Sequence, residues 1–409
     1  MKIVVIGCGA AGMMAAITAA EAGCDVTVLE RNPFGGKKLR ITGKGRCNVT
    51  NNCTPNEALA AVVSNPKFMI GALNRFTPAD TMAFFESSGV ELKTERGRRV
   101  FPASDRASDI SDALLRRMRE AGVTVRFDTR VTGISGTDGG YIVRWRGGEM
   151  TAERVIIATG GVSYPATGST GDGHRMLSEL GVSVTPLKPS LVPIETVESC
   201  APMTGLTLKN VTLTVFHGEK RVFTEMGEML FTHFGVSGPL VLSASSNMRD
   251  ADIGRYRLSI NLKPALSREE LDHRLRSDFE KYAARDFINS MGDLLPIKLI
   301  RFVIDRSGID PRKKTANITK EERIKLGDTL TDLSLTPKAF RPVDEAIITS
   351  GGVDVREINP RTMELKSHPG IFVCGELIDV DAYTGGYNLQ LAFSTAVAAG
   401  RAVSAVSDK

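Results

Sequence analysis

Residues Lys2 to Ile6 are a short β-branched run that leads straight into Gly7-Cys8-Gly9-Ala10-Ala11-Gly12, a complete G-x-G-x-x-G. A helix-forming stretch follows over 13–22, and a second strand-like run, Asp25–Leu29, ends in Glu30, 18 residues beyond Gly12. No other feature limits the fold as tightly. Gly7 permits the sharp turn from strand to helix, Gly9 leaves room for a pyrophosphate against the backbone, and Gly12 lets the helix pack close to the strand. The helix N-terminus then faces the phosphates, and Glu30 is placed to accept hydrogen bonds from ribose hydroxyls. A carboxylate there disfavours a 2′-phosphate, so the adenosine of FAD or NAD fits better than that of NADP. Arg31 comes next, either as an edge for the adenine or as exposed surface. The expected fold class is α/β, with a doubly wound, Rossmann-like domain.

Residues 35–48 bear on the choice between FAD and NAD. They read Gly-Gly-Lys-Lys-Leu-Arg-Ile-Thr-Gly-Lys-Gly-Arg-Cys-Asn, a glycine- and base-rich loop where an NAD-dependent dehydrogenase usually continues into a helix. Backbone N–H groups and cations on a long loop suit a larger, elongated cofactor; a solvated basic loop is the alternative.

Glycine punctuates strands twice more. Residues 154–158 are β-branched and end in Thr159-Gly160-Gly161, which permits close backbone approach at the carboxyl edge of a sheet. Gly171-Asp172-Gly173 precedes an amphipathic helix with Met176, Leu177 and Leu180, and Asp172 is either its N-cap or a cofactor contact. Residues 371–374 form another buried strand ending in Gly375-Glu376. The loop 379–387 leads into a helix over about 388–406, whose first N–H groups, at Tyr387, Asn388 and Leu389, would stabilise negative charge on a flavin.

These punctuations place one α/β domain at both ends of the chain, 1–190 and 341–409, interrupted by an inserted domain at 191–340. Alternating runs at 208–216, 221–224 and 256–262 predict mostly β structure over 191–262, a small β-barrel or sheet. Over 263–340 the pattern is mostly helical. Leu266, Leu271, Leu275 and Phe279 surround a Ser267-x-x-Glu270 capping box, and further helices are expected at 297–303 and 320–330. The insert has no second G-x-G-x-x-G, so no separate nicotinamide domain is expected; it is read as a roof over the cofactor that shapes a substrate pocket.

Apolar residues make up 42% of the 409 and charged residues 24%, which argues against disorder as the main state. Fifty-two basic against 47 acidic residues leave +5, too mild and dispersed to argue for a nucleic-acid partner. The one dense basic run, Arg312-Lys313-Lys314, reads as solvated surface. Six cysteines without a CxxC pair and five histidines without HxxxH point to neither a disulfide framework nor a metal site. The apolar run to Ala20 imitates a signal peptide but is broken by glycines, and no stretch reaches the length of a membrane span. The expected setting is the cytoplasm. Cys47, between Arg46 and Asn48, sits in a basic loop that would lower a thiol pKa, with Cys53 as a possible redox partner; a small buried cysteine is the alternative.

Several long segments share a fixed order: Thr42-Gly43-Lys44-Gly45-Arg46-Cys47-Asn48-Val49-Thr50-Asn51; Ala158-Thr159-Gly160-Gly161 through Tyr164-Pro165 to Gly168-Ser169-Thr170-Gly171-Asp172-Gly173; Leu230-Phe231-Thr232-His233-Phe234-Gly235-Val236-Ser237-Gly238-Pro239; and Thr349-Ser350-Gly351-Gly352-Val353, then Phe372-Val373-Cys374-Gly375-Glu376 and Thr384-Gly385-Gly386-Tyr387-Asn388-Leu389-Gln390. With the fingerprint and Glu30 they resemble, end to end, the BaiN-like NAD(P)/FAD-dependent oxidoreductases, also described as aminoacetone-oxidase-like flavoproteins. The resemblance implies FAD in a split dinucleotide-type domain with an inserted domain. It also implies reduction of a carbon–carbon double bond conjugated to a ketone in bile-acid-type steroids. Motifs and resemblance together give the cofactor-binding set: Gly7, Gly9, Ala10, Ala11, Gly12, Glu30, Arg31, Lys38, Thr42, Gly43, Gly45, Arg46, Cys47, Asn48, Val131, Thr159, Gly160, Gly161, Gly171, Asp172, Gly375, Glu376, Gly386, Tyr387, Asn388 and Leu389.

The expected reaction is a ping-pong cycle in which NAD(P)H reduces the flavin and hydride passes to the β-carbon of an enone in a steroid-like or other apolar small molecule. A donor polarises the carbonyl and an acid protonates the α-carbon. Tyr387, His233 and Tyr164 are the candidate catalytic donors, with Tyr383 beside them, because each lies in or next to a glycine-rich motif; aromatic packing is the alternative for each. The alternative function is an FAD-dependent amine oxidase using oxygen. A flavin-bearing RNA-modifying protein is a third class, disfavoured by the absence of an aromatic-interleaved basic stripe.

Overall fold

Valine and isoleucine fill the strands that the glycine loops terminate. In the computed structural model, which describes residues 1–249 and 252–405, Lys2–Ile6 pairs in parallel with Asp25–Leu29 on one side and Arg154–Ile157 on the other. Thr124–Arg126 and Ile371–Val373 extend these, among the described residues, to a five-stranded parallel sheet. Its order is Ile371–Val373, Arg154–Ile157, Lys2–Ile6, Asp25–Leu29, Thr124–Arg126. Near-continuous burial of Ile3 to Ile6 and of Val155 to Ile157 is what a parallel strand covered on both faces requires. Because the strands run one way, their carboxyl ends share an edge, and Gly7, Glu30, Ala158 and Cys374 follow directly from it.

The described chain divides into two units, Met1–Ser190 with Pro342–Lys409, and Leu191–Arg341. In the first, helices Ala10–Glu21 and Tyr387–Ser404 pack through small residues. A Cβ added at Gly400 would lie 2.8 Å from the Ala15 carbonyl oxygen, so nothing larger than glycine allows this approach. Position 406, to which sequence extends the last helix, lies outside the described residues. The span 49–123, for which the sequence reading names no elements, holds helices Pro66–Arg75, Pro78–Ser87 and Ala107–Glu120. It also forms an antiparallel sheet in the order Thr50–Asn51, Arg99–Pro102, Leu92–Glu95.

The second unit is built on a seven-stranded antiparallel sheet, counted among the described residues, centred on the hairpin Thr207–His217 and Lys220–Phe231. Helices Arg268–Lys281, Ile297–Ser307 and Lys320–Thr331 follow, the first started by the reciprocal Ser267–Glu270 capping box. The segment to 340 does not stay helical: Leu333–Leu335 and Pro337–Phe340 return to the sheet. Both leucines are buried on either side of Ser334, a period-two pattern too short to stand out beside the helical one. No helix among the described residues is long and apolar enough to cross a membrane, and no group of three metal-ligating side chains forms among them.

Candidate cofactor site

The glycine loop is closed on one side and open on the other. A Cβ on Gly12 would sit 1.9 Å from the Gly7 carbonyl oxygen, whereas one on Gly9 would meet nothing within 4 Å. Gly9 caps the Ala10–Glu21 helix without a side-chain bond, and no acidic residue occupies its first turn. The first-turn amides, which include Ala10 and Ala11, therefore remain available to an anion. Glu30 is 6% exposed. Its carboxylate accepts from the Cys8 N–H at 2.7 Å and from the Asn32 backbone and side-chain N–H groups at 2.8 and 2.6 Å. A carboxylate has about four acceptor sites, so one is left for a ribose hydroxyl.

Along the same edge, four segments of the chain meet at Glu376. Its carboxylate accepts from Lys38 Nζ at 2.7 Å, Ser163 Oγ at 3.0 Å and the Thr349 N–H at 2.8 Å. Thr349 Oγ1 in turn accepts from the Val162 and Ser163 N–H groups, and a Cβ on Gly161 would come within 2.2 Å of that oxygen. Gly160 has φ +75°, a left-handed conformation that favours glycine. Lys38 also donates to Ser163 Oγ at 2.6 Å and stands 5.9 Å from the ring centre of half-buried Tyr164. Burial, and secondarily the charge of Glu345, pushes the Tyr164 phenol above its ordinary pKa. The Gly375 N–H donates to Thr395 Oγ1 at 3.0 Å, which ties this edge to the C-terminal helix.

Arg31 donates to Thr170 Oγ1 at 2.6 Å and pairs with Asp172 at 3.2 Å, so its guanidinium is engaged by protein. Asp172 is not an N-cap. Gly171 caps the Asp172–Glu179 helix, and the Asp172 carboxylate instead receives Arg130 at 2.9 and 2.7 Å, which holds its pKa below the usual carboxylate range. Val131, next to Arg130, is buried at the start of the Val131–Thr137 strand.

The 42–48 loop is held in a rare backbone shape: Gly43, Lys44, Gly45 and Cys47 all have positive φ. Thr42 Oγ1 donates to the Leu39 carbonyl. Arg46 is matched by Glu95 and Asp105 and lies 4.2 Å from the Phe101 ring centre. Of the two readings of Cys47, the structure gives the small buried cysteine rather than the redox thiol. It is fully buried and its pKa is pushed up to about 12, because desolvation outweighs the lowering effect of its hydrogen bond with Thr42. Asn48, its carboxamide oriented by its partners, donates to the Val100 and Thr50 carbonyls and accepts from the Gly386 N–H at 2.9 Å. Gly386 has φ +96°, and a Cβ there would lie 2.3 Å from the Thr50 oxygen. Asn388 spends its side chain on the loop before it, accepting from the Ala382 N–H and donating to the Ala382 carbonyl. The amides of Asn388 and Leu389, in the first turn of their helix, have no acceptor inside it.

Of the expected donors, Tyr164, Tyr383 and Tyr387 belong to the first unit. Exposed His233 belongs to the second, at a tight turn beside Phe234. Sequence reasoning missed Ser163, Thr349, Thr395 and Arg130 as partners in the site. The first two lay inside quoted motifs, but nothing local marked Thr395 or Arg130.

One buried polar atom of this edge lacks a partner: Thr159 Oγ1, just past the Arg154–Ile157 strand. A buried hydroxyl without a hydrogen bond is costly, and a ligand that supplies one removes the cost. The open face at Gly9, the unbonded helix start, the remaining acceptor site on Glu30 and the Thr159 hydroxyl fit an elongated dinucleotide with a pyrophosphate and sugar hydroxyls. This edge is the candidate cofactor site, and the chain as a whole is of the FAD-binding, flavin-dependent oxidoreductase class.

The chain belongs to the HI0933-like family: the model described as HI0933-like protein Rossmann domain matches residues 1–402. It is 31% identical over 397 residues to the ribosomal RNA dihydrouridine synthase of Escherichia coli, covering 96% of this chain and 95% of that protein. It is 28% identical over 405 residues to the 3-dehydro-bile acid delta(4,6)-reductase of Clostridium scindens, covering 98% of each. Among solved structures, the 3-ketosteroid delta1-dehydrogenase of Sterolibacterium denitrificans matches with a TM-score of 0.54 at 14% identity, over 98% of this chain and 99% of that one. At that identity the likeness shows the fold alone. The expectation of no nucleic-acid partner draws no support from a relative named for a reaction on ribosomal RNA.

Proposed function

We propose that this protein reduces a carbon–carbon double bond conjugated to a carbonyl group, with NADH or NADPH as the electron source. The observation that carries the reading is the full-length likeness to two relatives with different substrates and one shared bond change. The 5,6-double bond of a uracil ring is conjugated to its C4 carbonyl, and the Δ4 and Δ6 bonds of a 3-dehydro bile acid are conjugated to the 3-keto group. FAD, when bound, supplies the two-electron carrier between donor and acceptor. Gly7, Gly9, Glu30, Thr159 and Glu376 would hold it.

The chain's own residues supply polarisation and protons. Tyr164 carries its phenolic hydrogen at neutral pH, as an ordinary tyrosine does, and burial moves its pKa further up, so it can donate to a carbonyl oxygen. The Lys38 ammonium beside it favours developing negative charge. The start of the Tyr387–Ser404 helix presents the positive end of a dipole to the same edge.

The reduction step of the test is anaerobic, and oxygen is admitted only in the amine arm. Purified yellow protein is bleached with NADH or NADPH, then offered a steroid 4-en-3-one, a uridine oligonucleotide or dissolved oxygen with an amine. Recovery of colour with a reduced conjugated carbonyl as product supports the reading. Recovery only with oxygen, amine consumption and peroxide release would replace it with the amine-oxidase alternative.

A further inference from the structure

Gln390 sits in the first turn of the Tyr387–Ser404 helix, 1% exposed, and its carboxamide fills every hydrogen-bonding position it has. Oε1 accepts from Thr50 Oγ1 at 2.6 Å and from Thr81 Oγ1 at 2.8 Å. Nε2 donates to the Phe76 carbonyl at 3.1 Å and to Ser394 Oγ at 3.0 Å, and Ser394 Oγ donates in turn to the same carbonyl. One side chain thus ties the last helix to the Thr50–Asn51 strand, to the junction between helices Pro66–Arg75 and Pro78–Ser87, and to its own next turn. Packing alone would be met by leucine or methionine at this position. A fully satisfied buried network instead fixes one arrangement of the elements that share it.

The segment that carries Thr50 also grips the start of the helix on either side of that bond. Asn48 accepts from the Gly386 N–H at 2.9 Å and donates to the Thr50 carbonyl at 2.9 Å. Asn51 Nδ2 donates to the Gly385 carbonyl at 3.0 Å. Asn48, Thr50 and Asn51 therefore hold Gly386, Gln390 and Gly385 in turn. There is no slack in this contact, because the Gly386 Cα already lies against the Thr50 backbone. With the Gly386 N–H taken by Asn48, the amides of Asn388 and Leu389 are the ones that the interlock holds in place without an acceptor inside the helix.

We infer that Gln390 is a positioning residue that sets the electron affinity of the bound flavin. Through Thr50 it fixes where the first-turn amides and the positive end of the helix dipole stand. Displacing that end weakens its hold on the negative charge that two-electron reduction leaves on the flavin ring. Gln390 is buried and acts through the helix start rather than by contact with the ring. The inference rests on the helix start being the flavin's neighbour, and it is independent of which acceptor the flavin reduces.

The test uses the full chain loaded with FAD and reads two equilibria other than turnover. One is the midpoint potential against a reference dye; the other is the dissociation constant of sulfite, which adds to the oxidised flavin and leaves the ring negatively charged. Gln390→Met and Thr50→Val remove the link from opposite ends with little change of volume, and Thr50→Ser keeps the hydroxyl. The first two should lower the equilibrium constant for flavin reduction about three- to tenfold, up to about 30 mV for a two-electron couple, and weaken sulfite binding by a similar factor. Thr50→Ser should stay within about twofold of wild type. Thr50→Val is the milder change and serves if Gln390→Met does not fold. A lower melting temperature with both equilibria unchanged overturns the inference and leaves Gln390 a purely structural residue. So does a Thr50→Ser protein that behaves like Thr50→Val. Leu389→Asp, which sets a negative charge in the first turn, tests the placement beneath the inference and should weaken both equilibria. If it does so while Gln390→Met and Thr50→Val do not, the helix faces the flavin but Gln390 does not tune it. If none of the three has an effect, the helix start is not the flavin's neighbour and the inference falls with that placement.

Discussion

Lys38 Nζ lies 2.7 Å from Glu376 Oε2, joining positions 338 residues apart across the carboxyl edge of the sheet. Both side chains are about one-fifth exposed, so the pair is screened less than a surface bridge and is backed by Ser163 and the Thr349 N–H. Glu376→Gln leaves Lys38 without its charge partner and should cost about 1–3 kcal/mol of stability. Lys38→Met/Glu376→Gln should cost less than the two single losses added together. A double-mutant cycle on denaturant midpoints reads the coupling, and strict additivity would show that the two do not act as a pair.

Gly9 and Gly12 separate ligand space from protein space. Alanine at 12 places a methyl group against the Gly7 carbonyl, which should destabilise the apoprotein by about 3 kcal/mol or more. Alanine at 9 enters open space at an ordinary φ of −88°, so apoprotein stability should stay within about 0.5 kcal/mol. FAD affinity of Gly9→Ala should nonetheless fall tenfold or more, or about 1.4 kcal/mol. Thermal melts of the apoproteins and FAD titrations decide it; normal FAD binding by Gly9→Ala would remove that open face from the site.

Thr159 makes a similar distinction with a single atom. Its hydroxyl is buried and unpartnered, so Thr159→Val should leave the apoprotein as stable or slightly more so. The same change should weaken FAD binding about three- to tenfold, the worth of one hydrogen bond. Loss of apoprotein stability with unaltered FAD affinity would assign the hydroxyl a structural role.

The split α/β architecture was legible because glycine is forced where a strand end, a helix start and a phosphate compete for space. Gly7, Gly160 and Gly375 all have positive φ at that edge. What was not legible is how the site is wired. Asn51 reaches Gly385 over 334 residues and Ser163 reaches Thr349 over 186, and no local pattern encodes such pairs. Asp172 misled for a related reason: its place at a helix start matched a cap, but Arg130 and Arg31 offered stronger partners than backbone amides.

Cys47 gives a chemical check on the buried loop. With its pKa pushed up to about 12, roughly one molecule in ten thousand carries the thiolate at pH 8. Alkylation followed by mass mapping should find Cys47 unmodified in the folded protein and modified once denatured. A Cys47–Cys53 disulfide after mild peroxide would restore the redox reading that burial argues against.

His174 sets the acid limit. It is 4% exposed, and its Nε2 lies 3.2 Å from the Leu377 carbonyl, so that nitrogen carries the hydrogen and Nδ1, which has no partner, is the basic one. Burial lowers its pKa below the ordinary 6.5, and the opposing pull of Leu377 and Glu376 is smaller. The unfolded chain therefore binds the proton more readily than the folded one. The stability held by neutral His174 is fully present above pH 6.5 and is lost as pH falls from there toward the lowered folded value. Melting temperatures of wild type and His174→Gln, measured between pH 5 and 7.5, should diverge in slope below pH 6.5, with wild type the steeper. Parallel slopes would mean that His174 takes up its proton in the fold as readily as in the unfolded chain, with a solvent path to Nδ1.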